Sequence, residues 1–472
     1  MDLRLLGPEV ALAVAASVII LADAFIPGGL SRRAMLSVAA LGIAISAWAA
    51  ISLGGSSASG FNGTIRADAF SLFFELLLLA GTLLVLLAAA TLLEASPRYR
   101  AESVGLVLLA TAALMLLASA TELITIYLAL ETSSLSTAFL SAWNKKDLRS
   151  NEAGLKYFVL SAIASAVLLY GIALLYGLTG QTHLEGIRQL LEVPSKAPVL
   201  LAAAMLLAGF GFKISAVPFQ MWTPDVYEGA PTPITAYLSV ASKAAGFAVL
   251  VRVLQTTLPD TQIDWPLLVA IVAALTMTVG NLVAMAQSNI KRMLAYSSIA
   301  QAGYVLIGVA ASRQGTGPVL FYLLGYTATN LGAFIAVIEI ARRIGSEQMA
   351  DFAGLYRRAP GLAFALAISL LSLAGLPPLV GFFGKLFLFW AAIQANLGWL
   401  VLIGVLNSAA SLFYYAQVIH TMYLLPGEGE VSPEAPNLST GSLVVAVGGI
   451  FALGIFSAPL LGLAITAAES LP

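Results

Sequence analysis

Long apolar runs, each about the length needed to cross a bilayer as a helix, follow one another along this 472-residue chain and are separated by short polar loops. Fourteen such runs stand out, at residues 9–25, 34–53, 69–93, 104–118, 123–143, 155–178, 199–222, 233–254, 265–286, 293–311, 319–340, 362–393, 399–424 and 442–466. They predict an all-α polytopic membrane protein forming a single integral domain over 1–472, with no polar stretch long enough for a separate soluble unit. The first run has an acidic residue at Glu9, only Arg4 as a basic flank, and ends in IPGG, so it is expected to stay attached rather than be cleaved as a signal peptide. The loop sequence HLEGIRQLLEV has the spacing of a short amphipathic helix lying at the surface.

Two runs depart from the pattern. The seventh carries Lys213 followed by Pro218, and the twelfth carries Gly375, Pro377, Pro378, Gly381, Gly384 and Lys385. Proline removes a backbone donor and clashes with the preceding turn, so both helices are expected to break. The 32 residues of the twelfth run would make about 48 Å of straight helix against a hydrocarbon core of about 30 Å. Interrupted helices at matching places in two halves point to an inverted repeat. The expected organisation is three helices in 1–100, a five-helix unit in 101–256 (spans 4–8), an inverted second unit in 262–424 (spans 9–13) and a last helix in 440–468.

Loop charge orients the bundle. Odd-numbered loops hold Arg32, Arg33, Arg98, Arg100, Lys145, Lys146, Arg149, Lys291, Arg292, Arg342, Arg343, Arg357 and Arg358; the amino terminus and even-numbered loops hold Arg4, Arg66, Arg188, Lys196 and Arg313. The positive-inside rule then places odd loops in the cytoplasm and both termini on the outer, periplasmic side of a cell inner (plasma) membrane. Composition agrees: 60% of residues are hydrophobic, 10% are charged, and mean hydropathy is +0.93. A net charge of −1 gives no reason to expect nucleic acid, and the absence of cysteine excludes disulfides and thiolate-held iron–sulfur centres in this chain. His183 and His420 lie far apart and are read as ordinary interfacial residues.

Against this background a few charges stand inside the apolar runs: Glu131, Lys156, Lys213, Lys243 and Lys385. A charge at mid-bilayer costs roughly 2.5–3.5 kcal/mol on insertion scales, so such residues mark ion or proton routes. By their depth at 1.5 Å per residue, all but Lys156 fall near the midplane; Lys156 lies at the end of its run and is able to snorkel. Burial drives a lysine towards releasing its proton and a nearby carboxylate opposes this, whereas arginine stays charged. Glu131 is therefore expected beside Lys213, as a neighbour that turns between Lys213 and Lys156. Lys243 and Lys385 have no acidic partner in any run. Arg252 and Glu339, near span ends, are read as interfacial, and Glu75 is given no role. Hydroxyl and amide residues at similar depths, among them Ser133, Ser134, Ser297, Ser298, Asn330, Asn407, Ser408, Tyr414 and Tyr415, are suited to holding water between the lysines.

The stretch KISAVPFQMWTPDVYEGAPTPITAYLSVASKAAGFA from Lys213 to Ala248 resembles the signature of the subunit N family of proton-pumping NADH–quinone oxidoreductase, respiratory complex I. NIKRMLAYSSIAQAGY and SLAGLPPLVGFFGKLFLF fit the same family, and the resemblance runs over essentially the whole chain. It lacks the long lateral helix of subunit L and has Lys385 where subunit M has glutamate. The resemblance implies fourteen helices with two inverted five-helix repeats. It also implies proton-translocating roles for Glu131 in the fifth helix, Lys156 in the sixth, Lys213 in the broken seventh, Lys243 in the eighth and Lys385 in the broken twelfth. By the same token the chain is a non-redox subunit of a translocase, with no cofactor of its own. NADH, FMN, iron–sulfur clusters and quinone are expected in partner subunits, and antiporter-like subunit M and small membrane subunits as neighbours in the bilayer. The competing expectation is a subunit of a multi-subunit Na⁺/H⁺ antiporter or membrane-bound hydrogenase, which shares the fold.

Overall fold

The computed structural model describes residues 2–54, 57–90, 100–190, 197–258, 264–427 and 437–471. Arg98 and Lys196, which entered the charge count, and the ends of the third run and of the HLEGIRQLLEV segment lie outside them. The first six long helices are α1 (Gly7–Phe25), α2 (Arg32–Leu53), α3 (Ala69–Ala89), α4 (Arg100–Ser119), α5 (Leu123–Ser141) and α6 (Leu148–Thr179). The seventh span is divided into α7 (Ala197–Ile214) and α8 (Trp222–Gly229). Then come α9 (Thr232–Thr257), α10 (Trp265–Ala284), α11 (Ile290–Ala310) and α12 (Arg313–Ile344). The twelfth span is α13 (Pro360–Ala374) plus α14 (Val380–Gln394), followed by α15 (Gly398–Leu424), α16 (Leu438–Ile455) and α17 (Ser457–Glu469). Thirteen helices among the described residues are long and apolar enough to cross a membrane; the fourteenth crossing is the divided twelfth.

Helix starts follow from local chemistry. Asp68 caps α3 by accepting from Ser71 N–H at 2.7 Å, and Ser71 returns a bond to the Asp68 backbone. Glu122 caps α5 through Thr125 N–H at 2.7 Å, and Asn289 caps α11. Asp147 likewise opens α6 at Leu148, seven residues before the apolar run begins. Lys156 therefore sits two turns inside a helix rather than at its end. A short hairpin, β1 (Ala58–Gly60) with β2 (Ile65–Ala67), closes over the α4–α5 turn, where Ile65 bridges to Ala120. The surface helix expected in the HLEGIRQLLEV stretch runs over Leu184–Leu190, with Leu184 and Ile187 turned inward.

Burial ranks the helices. The central windows of α9, α11 and α12 are almost wholly enclosed, whereas α1, α6, α15 and α16 present about two thirds of theirs outward. The outward residues are large and apolar, including Phe139, Leu155, Trp390, Leu406 and Phe413, as a lipid-facing or subunit-facing surface requires. The enclosed helices carry Lys243 on α9, Ser297, Ser298 and Gln301 on α11, and Tyr322 and Tyr326 on α12. Two charges near span ends are enclosed by protein. Arg252 is only 1% exposed because Asp68, from the head of α3, accepts two of its hydrogen bonds. Glu339 is fully enclosed because Arg342, one turn on, meets it at 2.8 Å.

Candidate functional site

The two broken spans are built alike. Ser215 and Gly375 take left-handed φ values of +65° and +90°, and each lies three residues before a cis proline, Pro218 and Pro378. The same backbone bonds recur 160 residues apart. Ser215 N–H donates to Phe212 and Gly375 N–H to Ser372; Ala216 N–H donates to Gly211 and Leu376 N–H to Leu371. The two halves of each span therefore meet at a turn whose end carbonyls need partners other than the next helical turn.

At the twelfth span those partners include a lysine. Lys385, on α14, sends its Nζ back to the carbonyls of Leu373 and Ala374 at 3.0 Å each and to Ser408 Oγ at 2.9 Å. The ammonium caps the carboxyl end of α13, where the helix dipole favours a cation. It also lies 4.4 Å from the centre of the Tyr304 ring. At the seventh span Lys213 lies in the last turn of α7 and donates to Ser133 Oγ at 2.9 Å and Ser134 Oγ at 3.1 Å on α5. Lys243, on α9, donates to the carbonyl and hydroxyl of Ser298 at 2.6 Å each. All three amines are at least 96% enclosed, and none is in an ion pair with a described residue.

Between Lys243 and Lys385 the polar contacts are almost continuous. Ser298 meets Tyr326 OH at 2.8 Å, and its chain neighbour Ser297 meets Tyr415 OH at 2.5 Å. Gln301 Nε2 donates to Tyr415 OH at 3.3 Å and to the Leu373 carbonyl at 2.9 Å, while Tyr322 donates to its Oε1. Leu373 O is thus shared by Gln301 and Lys385. A second branch joins Tyr414, Asn281 and Asn407 beside Tyr304. Every group along both branches is able to donate or accept.

The expected Glu131–Lys213 ion pair is absent. Glu131 is half-buried and accepts from Ser165 on α6, while Lys213 reaches α5 two and three residues further on. Residues three apart on a helix are neighbours at about 5–6 Å, so the carboxylate lies one turn from the lysine's hydroxyl cradle. Lys156 is not shared with Glu131 either. Its Nζ lies 2.6 Å from both Glu152 and Asp225, and Ser165 is nine residues, about 13 Å, further along the same helix. Asp225, on α8, also meets Arg292 of α11 at 2.8 Å, and Arg292 meets Glu228 at 2.9 Å.

Asp225, Gln301, Tyr322, Tyr326 and Asp68 escaped the sequence reading. Asp225 lies in the TPDVYEGAP segment already singled out, where an acid just beyond a broken helix facing a basic sixth helix was the available signal. For Asp68 and Arg252 the signal was weaker: opposite charges near the same predicted face, 184 residues apart.

A helical membrane bundle with two divided helices, enclosed lysines at each half and a polar series joining them is the architecture of an antiporter-like ion-translocating subunit. The family described as NADH:quinone oxidoreductase/Mrp antiporter, TM, matches residues 120–411, and the chain belongs to it. NADH-quinone oxidoreductase subunit N of Trichlorobacter lovleyi is 44% identical over 91% of this chain and 89% of its own length. The subunit N protein of Desulfitobacterium hafniense is 42% identical over 100% of this chain and 99% of its own. A chain of respiratory complex I from Thermus thermophilus, solved with bound aureothin, superposes with a TM-score of 0.82 at 34% identity, over 96% of this chain and 98% of that one. A chain of the archaeal membrane-bound sulfane sulfur reductase superposes at 0.90 with 23% identity, covering 99% and 98%. That likeness concerns the fold alone, so the backbone architecture is shared more widely than the sequence.

Proposed function

We propose that this chain is the subunit N-type proton-translocating module in the membrane arm of an NADH–quinone oxidoreductase, a non-redox part of a translocase whose NADH, FMN, iron–sulfur and quinone chemistry takes place in partner subunits. The observation that carries the reading is the polar series from Lys243 through Ser298, Ser297, Tyr415 and Gln301 to the Leu373 carbonyl and Lys385. Enclosed lysines joined in this way are costly in a bilayer and mark an ion or proton route.

In this reading Lys213, Lys243 and Lys385 alternate between ammonium and amine. Hydroxyls and carbonyls stabilise either form without fixing it, whereas a carboxylate in contact would hold the charge in place. Glu131 sits one turn from the Lys213 cradle and acts as the movable counter-charge. Two unit charges 4 Å apart interact by about 4 kcal/mol at an effective dielectric of 20, enough to decide which site holds the proton. Lys156, clamped by Asp225 and Glu152, is a held charge at the entrance to the route, on the face expected to be cytoplasmic. The two five-helix units are inverted repeats, supported by the matching breaks. Both termini lie on the outer side, following the positive-inside rule. Moving one charge against 100 mV costs about 2.3 kcal/mol, so redox energy from the partners must be coupled to Glu131 and Lys213.

The test is proton pumping per NADH oxidised in the assembled complex. Lys213→Met and Glu131→Gln are expected to lower it severalfold, together with the oxidation rate coupled to it. Undiminished pumping in both would remove these residues from the route.

A further inference from the structure

Of the enclosed acids outside the proposed route, Glu122 caps α5 and Glu339 meets Arg342; the other three lie in or beside the three amino-terminal helices: Glu9 on α1, Asp68 at the head of α3 and Glu75 inside α3. Asp68 has a structural task. Burial pushes its carboxyl up, but the Arg252 charge, two hydrogen bonds from that guanidinium, the Ser71 N–H and the Arg66 charge hold it below the ordinary 3.8. It is a fixed anion and neutralises Arg252. Glu75 therefore lies near a guanidinium whose charge is already matched.

Glu75 is 6% exposed and Glu9 7% exposed, so both are more than nine-tenths enclosed. Neither forms a salt bridge with a described residue, and Glu9 Oε2 has no hydrogen-bond partner. A dry carboxyl with no cation in contact is suited to carrying a proton across a membrane. The Glu75 side chain also borders a small cavity with Asp68, Ser71, Arg66 and Ser119, of about 10 Å³, near the lower limit for one water.

A hydroxyl series approaches from the other side. Tyr237, six residues before Lys243 on α9, meets Thr111 of α4 at 3.0 Å, and Thr111 meets Thr82 of α3 at 2.9 Å. Thr82 and Glu75 are seven residues apart, two turns along one face of α3 and about 10 Å. Arg252, which anchors the outer end of this region, is itself on the helix that carries Lys243.

We propose that Glu75 is a proton-carrying carboxyl, with Glu9 a second, at the end of a second branch that runs from the Lys243 region through Tyr237, Thr111 and Thr82 and leaves through the three amino-terminal helices, on the face that carries the amino terminus. The proposal rests on the proton-translocating reading above. The proton leaves the Lys243 ammonium, passes between hydroxyl oxygens and bridging water to the Glu75 carboxylate, goes on to Glu9, and is released to water at the face. One N–H bond breaks at Lys243, and otherwise only O–H bonds form and break.

The experiment uses the assembled complex. The infrared difference between the parent and Glu75→Gln is expected to show the C=O stretch of a protonated carboxylic acid, shifting in deuterium oxide. Protons pumped per NADH by Glu75→Gln should fall towards the level of Lys213→Met, and Glu75→Asp should recover at least half. Glu9→Gln and Thr111→Val, which preserve size, should lower pumping twofold or more and serve where Glu75→Gln does not assemble. Absence of the carboxylic-acid band, or parent-level pumping in the Glu75, Glu9 and Thr111 variants beside loss in Lys213→Met, overturns the branch alone. Parent-level pumping in Lys213→Met as well overturns the proton-translocating reading with it.

Discussion

At the scale of single residues, enclosed charge falls into two kinds. Arg252 and Asp68 are locked by short bidentate contact at 2.8 and 2.9 Å and by the Ala118 carbonyl at 3.0 Å. The lysines of the proposed route instead rest on hydroxyls and carbonyls. Removing one member of a locked pair strands the other, so Asp68→Asn is expected to cost about 3–5 kcal/mol. It should appear as early thermal loss of this subunit from the purified complex, and replacing both members by leucine should be milder. The same pair gives a pH effect of known sign. The Asp68 carboxyl is held below 3.8, so its contribution is complete above that value and is lost as pH falls through the lower folded value. Acid dissociation of the complex should therefore begin at higher pH in Asp68→Asn than in the parent. The five charged residues singled out from sequence were legible because a charge in an apolar run has no ordinary explanation. Their partners were not legible: the sequence offers Lys156 several acids, and only the fold brings Asp225 to it, 69 residues along the chain.

At the scale of elements, the sequence disclosed the breaks through their prolines and the excess length of the twelfth span, while the contacts that hold each break open needed coordinates. Glycines explain why α13 and α14 come so close. A Cβ at Gly381 would lie 1.8 Å from the Ser372 carbonyl oxygen, on the opposite half of the span. A Cβ at Gly361, at the start of α13, would meet nothing within 4 Å. Gly381→Ala is therefore expected to push the halves apart, displace the Lys385 amine from the Leu373 and Ala374 carbonyls, and lower both complex yield and pumping severalfold. Gly361→Ala should leave both within the scatter of the parent. Gly375, with φ at +90°, is a second sensitive point, where alanine adds about 1–2 kcal/mol of backbone strain. The extension of α6 to Leu148 was missed because its first two turns are polar: hydropathy sees the membrane, and the Asp147 cap that begins the helix lies outside it.

At the scale of the whole molecule, the two proposed units are joined by different chemistry at different depths. The polar series from Lys243 to Lys385 crosses between them in the interior, and Arg292 of α11 holds Asp225 of α8 nearer the face that carries Lys145 and Lys146. Hydrophobic periodicity predicts how many helices cross, but this cross-linking depends on which helices touch. Orientation is the one large-scale property that neither packing nor helix count determines, since the bundle would pack identically either way up. It rests on the excess of lysine and arginine in odd-numbered loops. The chain contains no cysteine, so single cysteines can be read without background. Lys146 is exposed in the α5–α6 loop, and Gly398 has open space around its missing Cβ at the start of α15, on the opposite face. In intact right-side-out vesicles a membrane-impermeant maleimide is expected to label Gly398→Cys and spare Lys146→Cys, with the preference reversed in inverted vesicles. The opposite pattern would turn the molecule over. The Asp225–Lys156 cluster would then face the outer compartment and Glu9 and Glu75 the cytoplasm, so that every direction assigned to proton movement would reverse while each contact stayed the same.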